Sequence, residues 1–76
     1  MTRIKDVRIK KGMTQMKLAE GAGMNPRTLQ HYEQGSKNID GAKIETLLNL
    51  SNTLGCKISD IVESDDLRQK LIDSGC

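Results

Sequence analysis

Arg27, Gln30, His31 and Gln34 follow one another at three- and four-residue spacing, which on a helix sets them along one face. Their chemistry is hydrogen-bond recognition. The guanidinium fork of Arg27 fits a pair of acceptors such as O6 and N7 of guanine, and Gln30 and His31 can reach groups one turn further on. Bond-breaking chemistry finds less support. His31 is the only histidine and stands near no nucleophile in sequence, Ser36 lacks a recognisable base, and Cys56 and Cys76 lie outside the basic half of the chain. Two cysteines twenty residues apart and one histidine do not make a metal site. Gly21-Ala22-Gly23 follows a helix where a phosphate loop would follow a strand. Neither enzyme activity, a cofactor nor a metal is expected.

Two short helices must position that face. Thr14 is a good N-cap, and Gln15 to Ala22 puts Leu18, Ala19 and Ala22 on one side. Gly23 stops the helix in the left-handed conformation that glycine enters without a Cβ clash. Asn25 caps the next helix, Pro26 takes its first position, and Met24 and Leu29 have the spacing of a hydrophobic staple. Leu29 and Tyr32 then face inward and Gly35 ends the helix. Two short helices at a tight angle, the second with an outer face of Arg, Gln and His, form a helix-turn-helix pattern.

The segment resembles the DNA-binding domains of the phage Cro and C1 repressor class. The resemblance rests on Arg8, Gly12, Thr14-Gln15, Leu18-Ala19, Gly23, Leu29, Glu33 and Gly35, continued by Leu47, Leu54-Gly55 and Ile58, and runs from about residue 4 to residue 63. It implies a compact all-α, lambda-repressor-like domain of four to five helices, with the helix-turn-helix as its second and third. It further implies sequence-specific binding of double-stranded DNA in the major groove by a transcriptional regulator, a repressor by preference, acting as a homodimer on a palindromic operator. Thr14, Gln15 and Lys17 are expected at the DNA from the start of the second helix. Arg27, Thr28, Gln30 and His31 are expected there from the third, and Ser36, Lys37 and Asn38 from the turn after it. Asn25 is as well explained by its cap as by DNA. Pro26, where family members often carry a polar residue, offers only a rigid apolar edge. The resemblance also pairs Arg8 with Glu33, a bidentate contact able to lock the first helix to the third. A protein-directed role is the alternative, because small domains of this family also serve as antitoxins or adaptors.

Composition sets the frame. A chain of 76 residues with 36% apolar content and Tyr32 as its one aromatic residue has a small core, and no run alternates as a strand would. It is expected to form one domain over residues 1–76, with a core of about 3–63 and an extension of 64–76. The net charge of +2 divides unevenly, +4 over residues 1–40 and −2 over 41–76, as suits one DNA-facing side. Absence of a signal or membrane-length apolar run makes the cytoplasm, with both thiols reduced, the expected compartment.

The remaining helices follow from pattern. Residues 3–11 read as the first helix, capped by Thr2, with Ile4 and Val7 buried and Lys10 and Lys11 in solvent. The fourth runs from about 41 to 54, with Asp40 as its cap and Ile44, Leu47, Leu48, Leu50, Ser51 and Leu54 as a broad inner face. A short helix over 59–63 closes the core with Ile58, Ile61 and Val62. The tail can form one more helix, whose Leu67, Leu71 and Ile72 need a partner in the same domain or a second chain. Cys56 reads as a buried inert thiol and Cys76 as mobile. Gly21, inside a helix at a cost of roughly 1 kcal/mol against alanine, leaves room for close approach of a neighbouring helix or the DNA backbone, and the sequence does not decide between them.

Overall fold

The computed structural model describes residues 2–76, all of whose regular elements are helical. Five α-helices, α1 (Arg3–Lys10), α2 (Gln15–Ala22), α3 (Pro26–Gln34), α4 (Ile44–Leu54) and α5 (Asp65–Asp73), are joined by short turns, two of them single 3-10 turns at Ile39–Gly41 and Ile58–Asp60. The turns around the helix-turn-helix behave as their residues dictate. Thr14 Oγ1 accepts from the Lys17 amide at 3.1 Å, and Asn25 Oδ1 from the Arg27 amide at 2.8 Å. Gly23 takes φ 67°, which lets its own amide and that of Met24 return to the carbonyls of Glu20 and Ala19.

Leu18, Ala19 and Ala22 of α2, Leu29 and Tyr32 of α3, and Leu47, Leu50 and Leu54 of α4 form the centre of the core. Ile4, Ile39, Ile58, Ile61 and Val62 close it. α2 packs extensively on α4, and that contact accounts for Gly21. A Cβ built there would run into the methyl of Thr53, whose hydroxyl is held by the Asn49 carbonyl at 2.8 Å. Glycine is kept where helix propensity would choose alanine because α4 occupies that space.

Several expectations from local pattern are corrected by contacts between distant segments. Thr2 stands at the N-cap of α1, yet its hydroxyl donates to the Glu33 carbonyl at 2.9 Å and ties α1 to α3. Asp40 does not cap the fourth helix. Its carboxylate accepts the amides of Glu63 and Ser64 at 2.7 and 2.9 Å, and α4 begins three residues later than 41, after an extended Ala42. Ile44 and Leu48 are 60% and 45% exposed, since the flank of α4 that carries them turns away from the core that Leu47, Leu50 and Leu54 enter. In place of a helix over 59–63 there is the 3-10 turn, with Ile58, Ile61 and Val62 buried beside it.

α5, capped by Ser64 at 3.3 Å, folds back on the same domain. Leu67 and Leu71 are half-buried against the core and leave Ile72 as the exposed apolar residue of that helix. Cys76 is anchored, its carbonyl accepting from the Ser59 amide at 3.1 Å and its amide donating to Leu71. Cys56 is half-buried, and desolvation, followed by the charge of Asp60, pushes its thiol above the ordinary value against the opposing pull of Lys11. No helix of the described residues is long and apolar enough to cross a membrane.

Candidate nucleic-acid interface

Glu33 fixes the frame on which the outer face of α3 is carried. Its side chain is 1% exposed, and both carboxylate oxygens are engaged. Arg8 Nε reaches Oε2 at 2.7 Å, while Arg8 Nη2 and Gln15 Nε2 each reach Oε1 at 3.1 Å. Arg8 Nη1 also donates to the Met13 carbonyl at 2.8 Å, at the bend leading into α2. One buried carboxylate therefore joins α1, α2 and α3, and the fork–fork geometry fixes direction as well as distance. Gln15 is thereby half-buried, with one amide donor already committed.

Opposite Leu29, Tyr32 and Glu33, the side chains of Arg27, Gln30, His31 and Gln34 stand in solvent. Arg27 and His31 are one turn apart on this face. The Arg27 guanidinium makes no hydrogen bond or ion pair among the described residues, so its donors are free. Pro26 is exposed at the first position of α3, and Asn25 is exposed while its oxygen serves the cap. Thr14 and Lys17 are exposed at the start of α2.

The turn after α3 is more structured than its composition suggests. Ser36 Oγ lies 3.0 Å from His31 Nδ1, so the serine does have an imidazole beside it, contrary to the sequence reading. The same hydroxyl donates to the His31 carbonyl at 3.3 Å. Asn38 Oδ1 accepts from the Asp40 amide at 3.0 Å and caps the 3-10 turn. Lys37 extends over Tyr32, its ammonium 5.4 Å from the ring centroid, a cation–π contact that directs an otherwise flexible side chain.

Between α3 and the start of α4 lies a cleft of about 480 Å³, with Thr28, Tyr32, Lys37, Lys43 and Asn49 in its walls. No local pattern in the sequence marks Lys43 as a site residue. It stands at the N-cap of α4 with no side-chain cap bond, and only the folding of the 3-10 turn brings it to the same cleft as Lys37. Two lysines and a threonine share this cleft of mixed polarity with the carboxylate of Glu45, so the ammonium groups of Lys37 and Lys43 are what it can offer an anionic chain.

Comparison with known proteins gives a match at the level of a family. The family model described as helix-turn-helix covers residues 4–61, well over half of the chain, from the second residue of α1 through the second 3-10 turn. No curated protein and no solved structure matches the chain.

Proposed function

The chain belongs to the Cro/C1-type helix-turn-helix family of DNA-binding regulators, and from that premise we propose that it is a sequence-specific transcriptional repressor reading the major groove of double-stranded DNA with α3. The observation that carries the proposal is the pairing of a free Arg27 on an exposed polar face with the buried Glu33 network behind that face. A reader must present its donors in one orientation, and a face held from three helices loses little entropy on binding.

Arg27 donates to O6 and N7 of a guanine, with Gln30 and His31 beside it. Thr28 lies on the flank facing the cleft, where Lys37 and Lys43 hold the phosphate strand. Thr14, Gln15 and Lys17 meet the backbone on the other side of the motif, Gln15 with its remaining amide hydrogen. Ser36 and Asn38 act first through His31 and the 3-10 turn and add backbone contacts where their atoms remain free. Two copies bind a palindromic operator in the cytoplasm, since one reading helix covers too few base pairs for useful specificity and two-fold dimers set their reading helices about 34 Å apart.

A protein-partner role is favoured by a different observation, the exposure of Ile44 and Leu48 one turn apart on α4. Selection from random duplexes, followed by mobility shift on the enriched and scrambled sequences, separates the two. Enrichment of a palindrome bound by two chains is the expected result. Absence of any enriched sequence would contradict the repressor reading and favour the protein partner.

A further inference from the structure

Among the described residues only one nitrogen of the His31 ring has a hydrogen-bond partner. Nδ1 lies 3.0 Å from Ser36 Oγ, Ser36 Oγ lies 3.3 Å from the His31 carbonyl oxygen, and Nε2 has no hydrogen-bond partner among the described residues. A carbonyl can only accept, whereas a hydroxyl has one proton to give and two lone pairs. With the Ser36 proton on the carbonyl, the hydroxyl oxygen is left to accept, and Nδ1 must supply the hydrogen. The chain Nδ1–H to Oγ–H to carbonyl then uses every donor and acceptor in reach. The reverse assignment, with the hydroxyl donating to a bare Nδ1, would turn oxygen lone pairs against each other at 3.3 Å. That carbonyl is already held by the Lys37 amide at 3.2 Å, so it does not move aside.

We propose that Ser36 is a specificity-determining positioning residue, which holds neutral His31 as the Nδ1–H tautomer and so leaves Nε2 a bare acceptor facing the DNA. An acceptor at that point selects a base that offers a donor in the major groove, N6 of adenine or N4 of cytosine, and disfavours the acceptors of guanine and thymine. The inference rests on α3 being the base-reading helix. Without the serine hydroxyl nothing fixes the proton, and the Nε2–H tautomer, which donates outward, becomes available. The pair therefore couples a residue of the turn to the base preference of the helix.

The test uses Ser36→Ala and Ser36→Thr in the full chain, with two readouts. Nitrogen-15 NMR of the imidazole, at a pH where its shifts show the neutral ring, should give a protonated Nδ1 and a bare Nε2 in the parent and in Ser36→Thr. In Ser36→Ala the proton should move toward Nε2. Selection from random duplexes should then show one base position at which the parent and Ser36→Thr prefer adenine or cytosine by about 5–10-fold, the preference collapsing in Ser36→Ala. Loss of a mere phosphate contact would weaken all duplexes alike and leave the base preference intact, which would overturn the proposal. A bare Nδ1 in the parent would overturn it without any DNA. Arg27→Ala run in parallel separates the two failures. If Arg27→Ala changes the selected sequence and Ser36→Ala does not, only the tautomer device is wrong; if neither does, the base-reading helix is wrong as well.

Discussion

Replacing Glu33 by alanine removes the carboxylate that joins three helices, and its cost follows from what is left behind. Arg8, with a side chain only 13% exposed, loses two charge-assisted hydrogen bonds, and Gln15 loses its partner. Removing one member of a buried ion pair costs about 3–5 kcal/mol. The lower end applies because Arg8 keeps the Met13 carbonyl and some access to water. A loss of about 3 kcal/mol is a large share of the roughly 4–11 kcal/mol that a chain of this length holds. It should lower the midpoint of thermal unfolding by about 12–24 °C. Urea unfolding followed by helical circular dichroism gives the free energy. The double-mutant cycle with Arg8→Met isolates the coupling, because the double variant leaves no unpaired charge and should recover a good part of the loss. A coupling indistinguishable from zero, or a Glu33→Ala loss no larger than that of Glu45→Ala on the exposed side of α4, would refute the hub.

Further outcomes are expected at Gly21 and at the two cysteines. Gly21→Ala should destabilise the parent by about 1–2 kcal/mol through overpacking against Thr53. In a Thr53→Ala background the same change should instead stabilise by up to about 1 kcal/mol from helix propensity; stabilisation in both backgrounds would show that the α2–α4 contact does not select glycine. Cys76, exposed, should be alkylated well before Cys56, whose burial keeps its thiol protonated above the ordinary 9.0. Because the folded pKa lies above the unfolded one, the stability this thiol contributes is intact below pH 9.0 and is lost as pH rises beyond it. Mass spectrometry of an iodoacetamide time course checks the order, and equal rates in the folded protein would contradict the burial argument.

The helix-turn-helix was legible in the sequence because its signals are local. Thr14, Gly23, Asn25, Pro26 and the Met24–Leu29 spacing each act within one or two turns, and a reader of sequence needs no tertiary knowledge to place them. The outer face of α3 followed from the same periodicity. What stayed hidden depends on segments far apart in the chain. Asp40 looks like a cap, yet it serves the amides of Glu63 and Ser64, and the true start of α4 shifts with it. Gly21 is explained only by Thr53. The broad apolar run of α4 could not say which flank would be left bare, and Ile44 and Leu48 lie on that flank. At the site, the Ser36–His31 contact and the sharing of one cleft by Lys37 and Lys43 both arise from how the chain turns after Gly35, where sequence gives polarity but no direction.

The central claim, that α3 reads bases while the turn after it holds phosphate, is tested most directly by comparing Arg27→Ala with Lys37→Ala. Affinity should be measured for selected and scrambled duplexes across a salt series. Arg27→Ala should lose about 1–3 kcal/mol on the selected duplex, little on the scrambled one, and relax preference at a single guanine. Lys37→Ala should weaken both duplexes to a similar degree and reduce the salt slope by about one ion. If Arg27→Ala instead weakens both duplexes equally, Arg27 is a phosphate contact and α3 does not read bases through it. If neither variant alters binding, α3 is not the DNA face.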